Sequence, residues 1–201
     1  MATDRPMRTA YVLTTNKQSE RTLFTESVLT KIGFTVKLIQ HTPHEDKVLS
    51  NKLSMINIYR QIRDSGVNYA YVFEDDINML EPIELDEIIQ YETISPMFFY
   101  LGMCKYNNEA GIYNTTIQIN SHPVIRISNY VRGLHAIGIS NRGVTELLHF
   151  IETQSYEYMD MILENFTRDN PANIVRYDLE SYISGHRGIL FQDRNRFPST
   201  I

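Results

Sequence analysis

Glu74, Asp75 and Asp76 stand side by side at the end of Asn68-Tyr69-Ala70-Tyr71-Val72-Phe73, an apolar, aromatic and β-branched run. Such a run predicts a buried strand. Three adjacent acids at its carboxyl end cannot all stay buried and charged without a partner. In open α/β sheets, ligands bind just beyond the carboxyl ends of the strands. Carboxylates delivered there suit a hard divalent cation, Mn2+ or Mg2+ given all-oxygen ligands, and such a cation in turn holds phosphates. Strand alternation points Glu74 and Asp76 to one side and Asp75 to the other. Asp76, with Glu74, is therefore the metal-ligand candidate. The plain alternative is a strand running into a solvated acidic turn.

Asp160 is set among Tyr158, Met159, Met161 and Ile162. Apolar neighbours raise the pKa of a carboxyl, which suits a general base working on an acceptor hydroxyl. The alternatives are a helix-face acid in solvent or a structural partner of an arginine. In Ser184-Gly185-His186-Arg187-Gly188 the glycines let the backbone come close to a ligand. The single cysteine, Cys104, has an apolar context and is a poor nucleophile candidate.

The elements that must position these groups follow in order. Arg8 to Thr15 predicts a first strand ending in hydroxyls, and Asn16 to Glu20 a polar loop. Glu20 to Ile32 carries Leu23, Phe24, Val28, Leu29 and Ile32 at helical spacing, closed by Gly33. Phe34 to Gln40 predicts a second strand. Val48 to Asp64 predicts a helix with Leu49, Leu53, Ile56, Ile58, Tyr59 and Ile62 as its apolar set. The acidic strand comes next, so the N-terminal part reads β-α-β-α-β, the order of a parallel doubly wound unit. A short helix over Leu85 to Tyr91 and a strand over Met97 to Gly102 follow. A hairpin or edge strand is expected within Lys105 to Ser121, strands over Val124 to Ile127 and Gly133 to Ser140, and a helix from Asn141 to Ile151. Tyr158 to Asn165 predicts a further helix and Asn173 to Tyr177 a short strand. Gly185 to Ile201 is Arg-rich and shows no period.

Bulk composition narrows the function classes. The chain has 201 residues, 42% hydrophobic and 21% charged, with a net charge of −5 and no strongly basic stretch. That argues against nucleic acid as a partner. One cysteine excludes an internal disulfide and a Cys-rich zinc site. Met1 to Arg8 is polar, and no apolar run approaches a membrane span, so the expected location is the cytoplasm. The length suits a single domain over residues 1–201, with a nucleotide-binding half over about 8–104 and an acceptor half over about 105–201.

The ordered set of motifs resembles the family-25 glycosyltransferases, which include lipooligosaccharide and collagen galactosyltransferases. Ala10 to Thr15 is similar to that family's first strand, with Arg21 in the segment after it. Ser54 matches the Ser of its Ser-His on a helix, while Met55 stands where the His would be. Glu74-Asp75-Asp76 matches its Glu-Asp-Asp. Gly133 to Ser140 followed by Arg142 to Leu148 is similar to its Gly-x-x-x-Tyr-x-x-Ser strand and helix, with Ile137 in place of the Tyr. Asp160, then Pro171 to Tyr177 and Ser181, complete the order. The small size also looks like the glycosyltransferase domains that large algal viruses use on capsid proteins, which would place the chain in a host cytoplasm.

The resemblance implies the GT-A fold, a Rossmann-like α/β class with a mixed, mainly parallel central sheet flanked by helices. It implies a nucleotide-diphosphate sugar donor, UDP-linked by expectation, a divalent metal, and a glycan or glycoprotein acceptor. Thr14, Thr15, Asn16, Arg21 and Ser54 become donor-site candidates, Asp75 the carboxylate near the ribose and Asp76 the metal ligand. His186 fits the further C-terminal metal ligand common in GT-A enzymes, with Arg187 a diphosphate contact. Asp160 acts as base if the enzyme inverts, or stabilises positive charge on the sugar if it retains. Two rivals stand beside this: a nucleotidyltransferase making sugar nucleotides, although residues 14–20 lack the glycines of its phosphate loop, and a non-catalytic nucleotide- or metal-binding module.

Overall fold

The computed structural model describes residues 7–105, 111–128, 131–155, 158–182 and 185–198. The predicted stretches over 1–6, 106–110 and 199–201, and Ser184 of the glycine-flanked motif, lie outside them.

The N-terminal elements follow from local chemistry. β1 (Thr9–Thr14) leads to α1 (Glu20–Ile32), which begins where the Ser19 hydroxyl accepts from Thr22 N and ends at the left-handed Gly33. β2 (Thr35–Gln40) leads to α2 (Lys47–Ser65), begun by Asp46, whose carboxylate accepts from Val48 N and Leu49 N, and ended by Gly66. β3 (Tyr69–Glu74) then runs beside β1, and β1 beside β2, all parallel. This is the predicted β-α-β-α-β order.

α2 is turned relative to its predicted face. It buries Ser50, Ser54, Met55, Ile58, Tyr59 and Ile62, and leaves Leu49 and Leu53 exposed. The two serines explain the rotation. Ser50 Oγ donates to Thr42 O (2.6 Å), and Ser54 Oγ accepts from Thr42 N (2.7 Å) while donating to Ser50 O (2.6 Å). Hydroxyls satisfied in this way are buried at little cost, and they fasten the β2–α2 loop to the helix.

Beyond β3 come β4 (Ile77–Met79), α3 (Leu85–Ile94), β5 (Phe98–Lys105), β6 (Ile112–Ile119), β7 (His122–Ile127), β8 (Val131–Ser140), α4 (Asn141–Glu152), α5 (Met159–Asp169), β9 (Ala172–Ile174), β10 (His186–Gly188) and β11 (Leu190–Gln192). The main sheet has the order β2-β1-β3-β8-β5-β9-β7-β6, with β10 alongside the far end of β5; β4 and β11 form a separate pair. Six of its nine strands run the same way as β1; β8, β7 and β10 oppose them. The fold is the expected α/β class, a mixed sheet of mostly parallel strands flanked by helices. β8 slots between β3 and β5, so the later part of the chain completes the sheet begun by the first.

Each strand serves two cores by alternation. Ala10, Val12, Tyr71 and Phe73 pack with α1 and α3, whereas Leu13, Ala70 and Val72 pack with α2, α4 and α5. One more step along β3 turns Glu74 towards the α5 side and sends Asp75 towards α1. On the α3 side, Arg176 is locked to the buried Glu87 by a two-pronged pair (2.8 and 2.7 Å), which ties the turn after β9 to the start of α3.

The tail, which shows no period in sequence, supplies β10 and β11. A tight passage over β5 makes this possible. A Cβ on Gly102 would lie 1.8 Å from Leu190 O, so only glycine lets β11 cross there. Among the described residues no helix is long and apolar enough to cross a membrane.

Candidate functional site

β3 ends at Glu74, and Asp75 and Asp76 form a turn before β4. The turn modifies the simple alternation expected of the three acids. Asp75 does face α1: Arg21 Nε donates to its Oδ1 (2.5 Å), and Thr22 Oγ1 lies 3.3 Å from its Oδ2. Asp76 is shared between the two sides, because Arg21 Nη2 also reaches its Oδ2 (3.2 Å) while Gln192 bonds it from β11. Gln192 Nε2 donates to Glu74 as well, so Glu74 and Asp76 share a partner as their common side requires. Asp193 N closes the corner on Asp76 O (2.8 Å).

Asp76 is 2% exposed, and its Oδ1 has no hydrogen-bond partner. A buried carboxylate oxygen left unmet is costly. Burial raises the Asp76 carboxyl above its ordinary range; Arg21 opposes the rise, and Asp75 adds to it. Glu74 is pushed up to about 8, first by burial, then by the negative charges of Asp76 and Asp160. Asp160 sits in the first turn of α5, half-buried, on the side to which Glu74 turns. Four carboxylates from β3, the turn after it and α5 thus bear on one place.

The loop after β1 is built by hydroxyls. Thr14 Oγ1 and Thr22 Oγ1 are 2.7 Å apart, Asn16 N donates to Thr14 Oγ1 (3.0 Å), and Thr22 Oγ1 donates to Asn16 O (2.9 Å). Thr14 is buried and shapes this loop, while Thr15 and Asn16 are exposed on it. The loop and the acids meet through Thr22 and Arg21. Ser54 lies at the β2–α2 loop, engaged with Thr42 and Ser50.

The C-terminal candidates are placed differently. His186 is buried on β10 with Nε2 3.2 Å from Cys104 Sγ, and its ring centroid is 5.6 Å from that of His135. Arg187 pairs with Glu180 (2.9 Å). The glycine beside them serves backbone packing, since a Cβ on Gly188 would lie 2.7 Å from Leu101 O. Burial pushes the Cys104 thiol up to about 12, which keeps it protonated at neutral pH.

Among the described residues no group of three or more His, Cys, Asp or Glu is arranged to hold a metal ion. The two carboxylates still fit one. Mg2+ is usually held by one or two carboxylates together with substrate phosphates, and the unmet Asp76 Oδ1 offers a lone pair to such a cation. Asp76 and Glu74 are the residues that would hold it.

Three residues of this site carry no motif in the sequence: His41, Gln192 and Arg194. Burial lowers the His41 pKa, and the charges of Asp75 and Arg21 both act on it. Gln192 and Arg194 arrive with β11. Their only sequence signal is the apolar run Ile189-Leu190-Phe191 just before them, all of it buried.

No family model matches the chain, and no curated protein matches it. Solved structures do. The chain is similar to A197 from STIV, with 12% identity over 83% of this chain and 81% of that one and a TM-score of 0.45. A glycosyltransferase involved in the glycosylation of the major capsid of PBCV-1 is 8% identical over 77% of this chain and 71% of that one, with a TM-score of 0.45. The apo-form glycosyltransferase GlyE of Streptococcus pneumoniae TIGR4 is 12% identical over 83% of this chain and 44% of that one, with a TM-score of 0.44. Likeness of this degree concerns the course of the chain and says nothing of activity.

The raised Glu74 pKa makes one prediction about stability. An unfolded glutamate titrates near 4.3, so between about pH 4.3 and 8 the folded state holds a proton that the unfolded state has lost. The contribution of Glu74 to stability is then greatest below that window and falls as pH rises through it. The effect is a few kcal/mol, or several degrees of melting temperature for a chain this long. Glu74→Gln is expected to flatten the decline between pH 5 and 8.5 in EDTA, measured by calorimetry. An unchanged slope in the variant would assign the decline to other groups.

Proposed function

We propose that this chain is a glycosyltransferase of the GT-A type, moving a sugar from a nucleotide-diphosphate sugar, UDP-linked by expectation, to a hydroxyl of a glycan or glycoprotein. The observation that carries the reading is the buried acidic turn at the carboxyl end of β3, with Asp76 Oδ1 unmet and Asp160 bearing on the same place. The ordered family-25 resemblance supports it from the sequence side, with Met55 and Ile137 as its departures.

Thr15 and Asn16 on the loop after β1 face the nucleoside, and Asp75, held by Arg21 and Thr22, lies towards the ribose. A divalent cation on Asp76 and Glu74 would offset the charge gathering on the diphosphate. The acceptor oxygen bonds to the anomeric carbon as the bond from that carbon to the diphosphate breaks, and the diphosphate leaves with the electron pair. In an inverting reaction Asp160 takes the hydroxyl proton. In a retaining one its carboxylate stabilises the positive charge on the sugar, and the departing diphosphate takes the hydroxyl proton.

Titration calorimetry with nucleoside diphosphates, nucleoside triphosphates, and UDP- and GDP-sugars, each with and without Mn2+, tests the proposal. Binding of one class of sugar nucleotide that needs the metal is the expected result. Preference for a triphosphate together with a sugar phosphate would favour a nucleotidyltransferase. No binding by folded protein would leave the acidic turn a structural feature.

A further inference from the structure

The acidic site has a charge problem that its sequence motifs leave unsolved. A diphosphate brought beside Glu74, Asp75, Asp76 and Asp160 meets negative charge, and a protein cation would receive what a divalent cation on Asp76 and Glu74 leaves unbalanced. Arg21, the sequence candidate nearest the acids, is already engaged: its guanidinium is shared between Asp75 (2.5 Å) and Asp76 (3.2 Å). Arg187 is engaged with Glu180. Neither is offered freely to a ligand.

Arg194 is. It follows β11 in a tight turn, with its own N donating to Gln192 O (3.0 Å). Its Nη2 donates to Gln192 Oε1 (3.0 Å), the carboxamide whose nitrogen bonds Glu74. Among the described residues it forms no ion pair, and the residue is exposed. Its place is nonetheless fixed. Asp193, next to it, is 5% exposed and is held by Asn78 Nδ2 (3.0 Å) and the Tyr182 hydroxyl (2.6 Å). On the other side Arg196 lies 4.2 Å over the Phe24 ring and bonds Glu20 (3.2 Å). The segment bearing Arg194 is thus pinned at both ends to the elements that frame the acids, β4 and α1. The charge of Arg194 acts on Glu74 and Asp76 from β3 and its turn, and on Cys104 and His135 from β5 and β8.

We propose that Arg194 is a phosphate-binding residue of this site, receiving the diphosphate of the donor beside the Gln192 carboxamide that bonds Glu74. The proposal rests on the nucleotide-sugar reading for the identity of the ligand, though its chemistry needs only a diphosphate. A guanidinium with most of its five donors unspent suits two phosphate oxygens at once, which an ammonium cannot match. The Gln192 carboxamide acts as a spacer between the cation and Glu74, so the arginine is not neutralised by the acids it accompanies.

The test is calorimetric titration of the parent chain, Arg194→Gln and Arg194→Lys with pyrophosphate, UDP and uridine, all in Mg2+, with the melting temperature of each variant alongside. Arg194→Gln is expected to weaken pyrophosphate and UDP about tenfold to a hundredfold, with Arg194→Lys between it and the parent. Uridine affinity and melting temperature should stay as in the parent. Parent-like pyrophosphate affinity in Arg194→Gln overturns the assignment, as does equal weakening of uridine, which would mean a structural role. If the parent binds pyrophosphate through Arg194 but no nucleotide more tightly, the nucleotide-sugar reading fails and the phosphate site stands. If the parent binds none of the three, both fail.

Discussion

An Asp76→Asn chain is expected to fold at least as stably as the parent and to lose metal-dependent binding of the sugar nucleotide. Both halves follow from the same atom. Asp76 is buried, its Oδ1 has no partner, and burial raises its carboxyl pKa. A carboxylate in that state is a liability to the fold, because Arg21 and Gln192 engage it and still leave Oδ1 unmet. An amide of the same shape removes the buried charge and lowers the pressure on Glu74. Removing the charge also removes the proposed metal ligand. Loss of a residue that only orients a metal ligand costs 10–100-fold in affinity, so loss of the ligand itself should cost at least about a hundredfold. Melting temperature and donor titration in Mn2+ read the two halves separately. If Asp76 served only as a structural partner for Arg21, the variant would melt earlier and bind donor as the parent does. That opposite pattern would remove the metal assignment.

The elements that present Asp76 are legible in the sequence because their signals are local. Ser19 and Gly33 bracket α1, and Asp46 and Gly66 bracket α2. The apolar, aromatic and β-branched run before Glu74 predicts the buried strand that β3 is. Legibility fails where distant parts of the chain decide. The face of α2 follows from Ser50 and Ser54 finding Thr42, so polar residues that look solvent-facing are buried and Leu49 and Leu53 are not. β10 and β11 are three residues each, too short to show a period, and exist through pairing with β5 and β4. Gln192 and Arg194 therefore gain their place at the acids from long-range pairing that a motif search does not see. The glycines around His186 suggest a ligand from the sequence, yet Gly188 is required by the close passage over Leu101. A glycine marks a tight approach without saying whether the other party is a ligand or the chain itself.

Asp160→Asn should separate binding from chemistry. The side chain is in the first turn of α5, and the contacts described for Arg21 and for the loop after β1 are with other residues. Donor affinity should accordingly stay within about threefold of the parent, while turnover falls by about 10²–10⁴, the usual worth of a positioned base. Single-turnover measurement with saturating donor reads this loss directly. Full activity would take Asp160 out of the catalytic set. The substitution also has a readout that needs no substrate. Asp160 is one of the charges that raise the Glu74 pKa, so neutralising it should move the alkaline fall in stability to lower pH. A variant that loses turnover and shifts that fall places its carboxylate beside Glu74 in solution. A variant that loses turnover with the stability profile unmoved would put Asp160 away from the acids, and its effect would then arise from α5 itself.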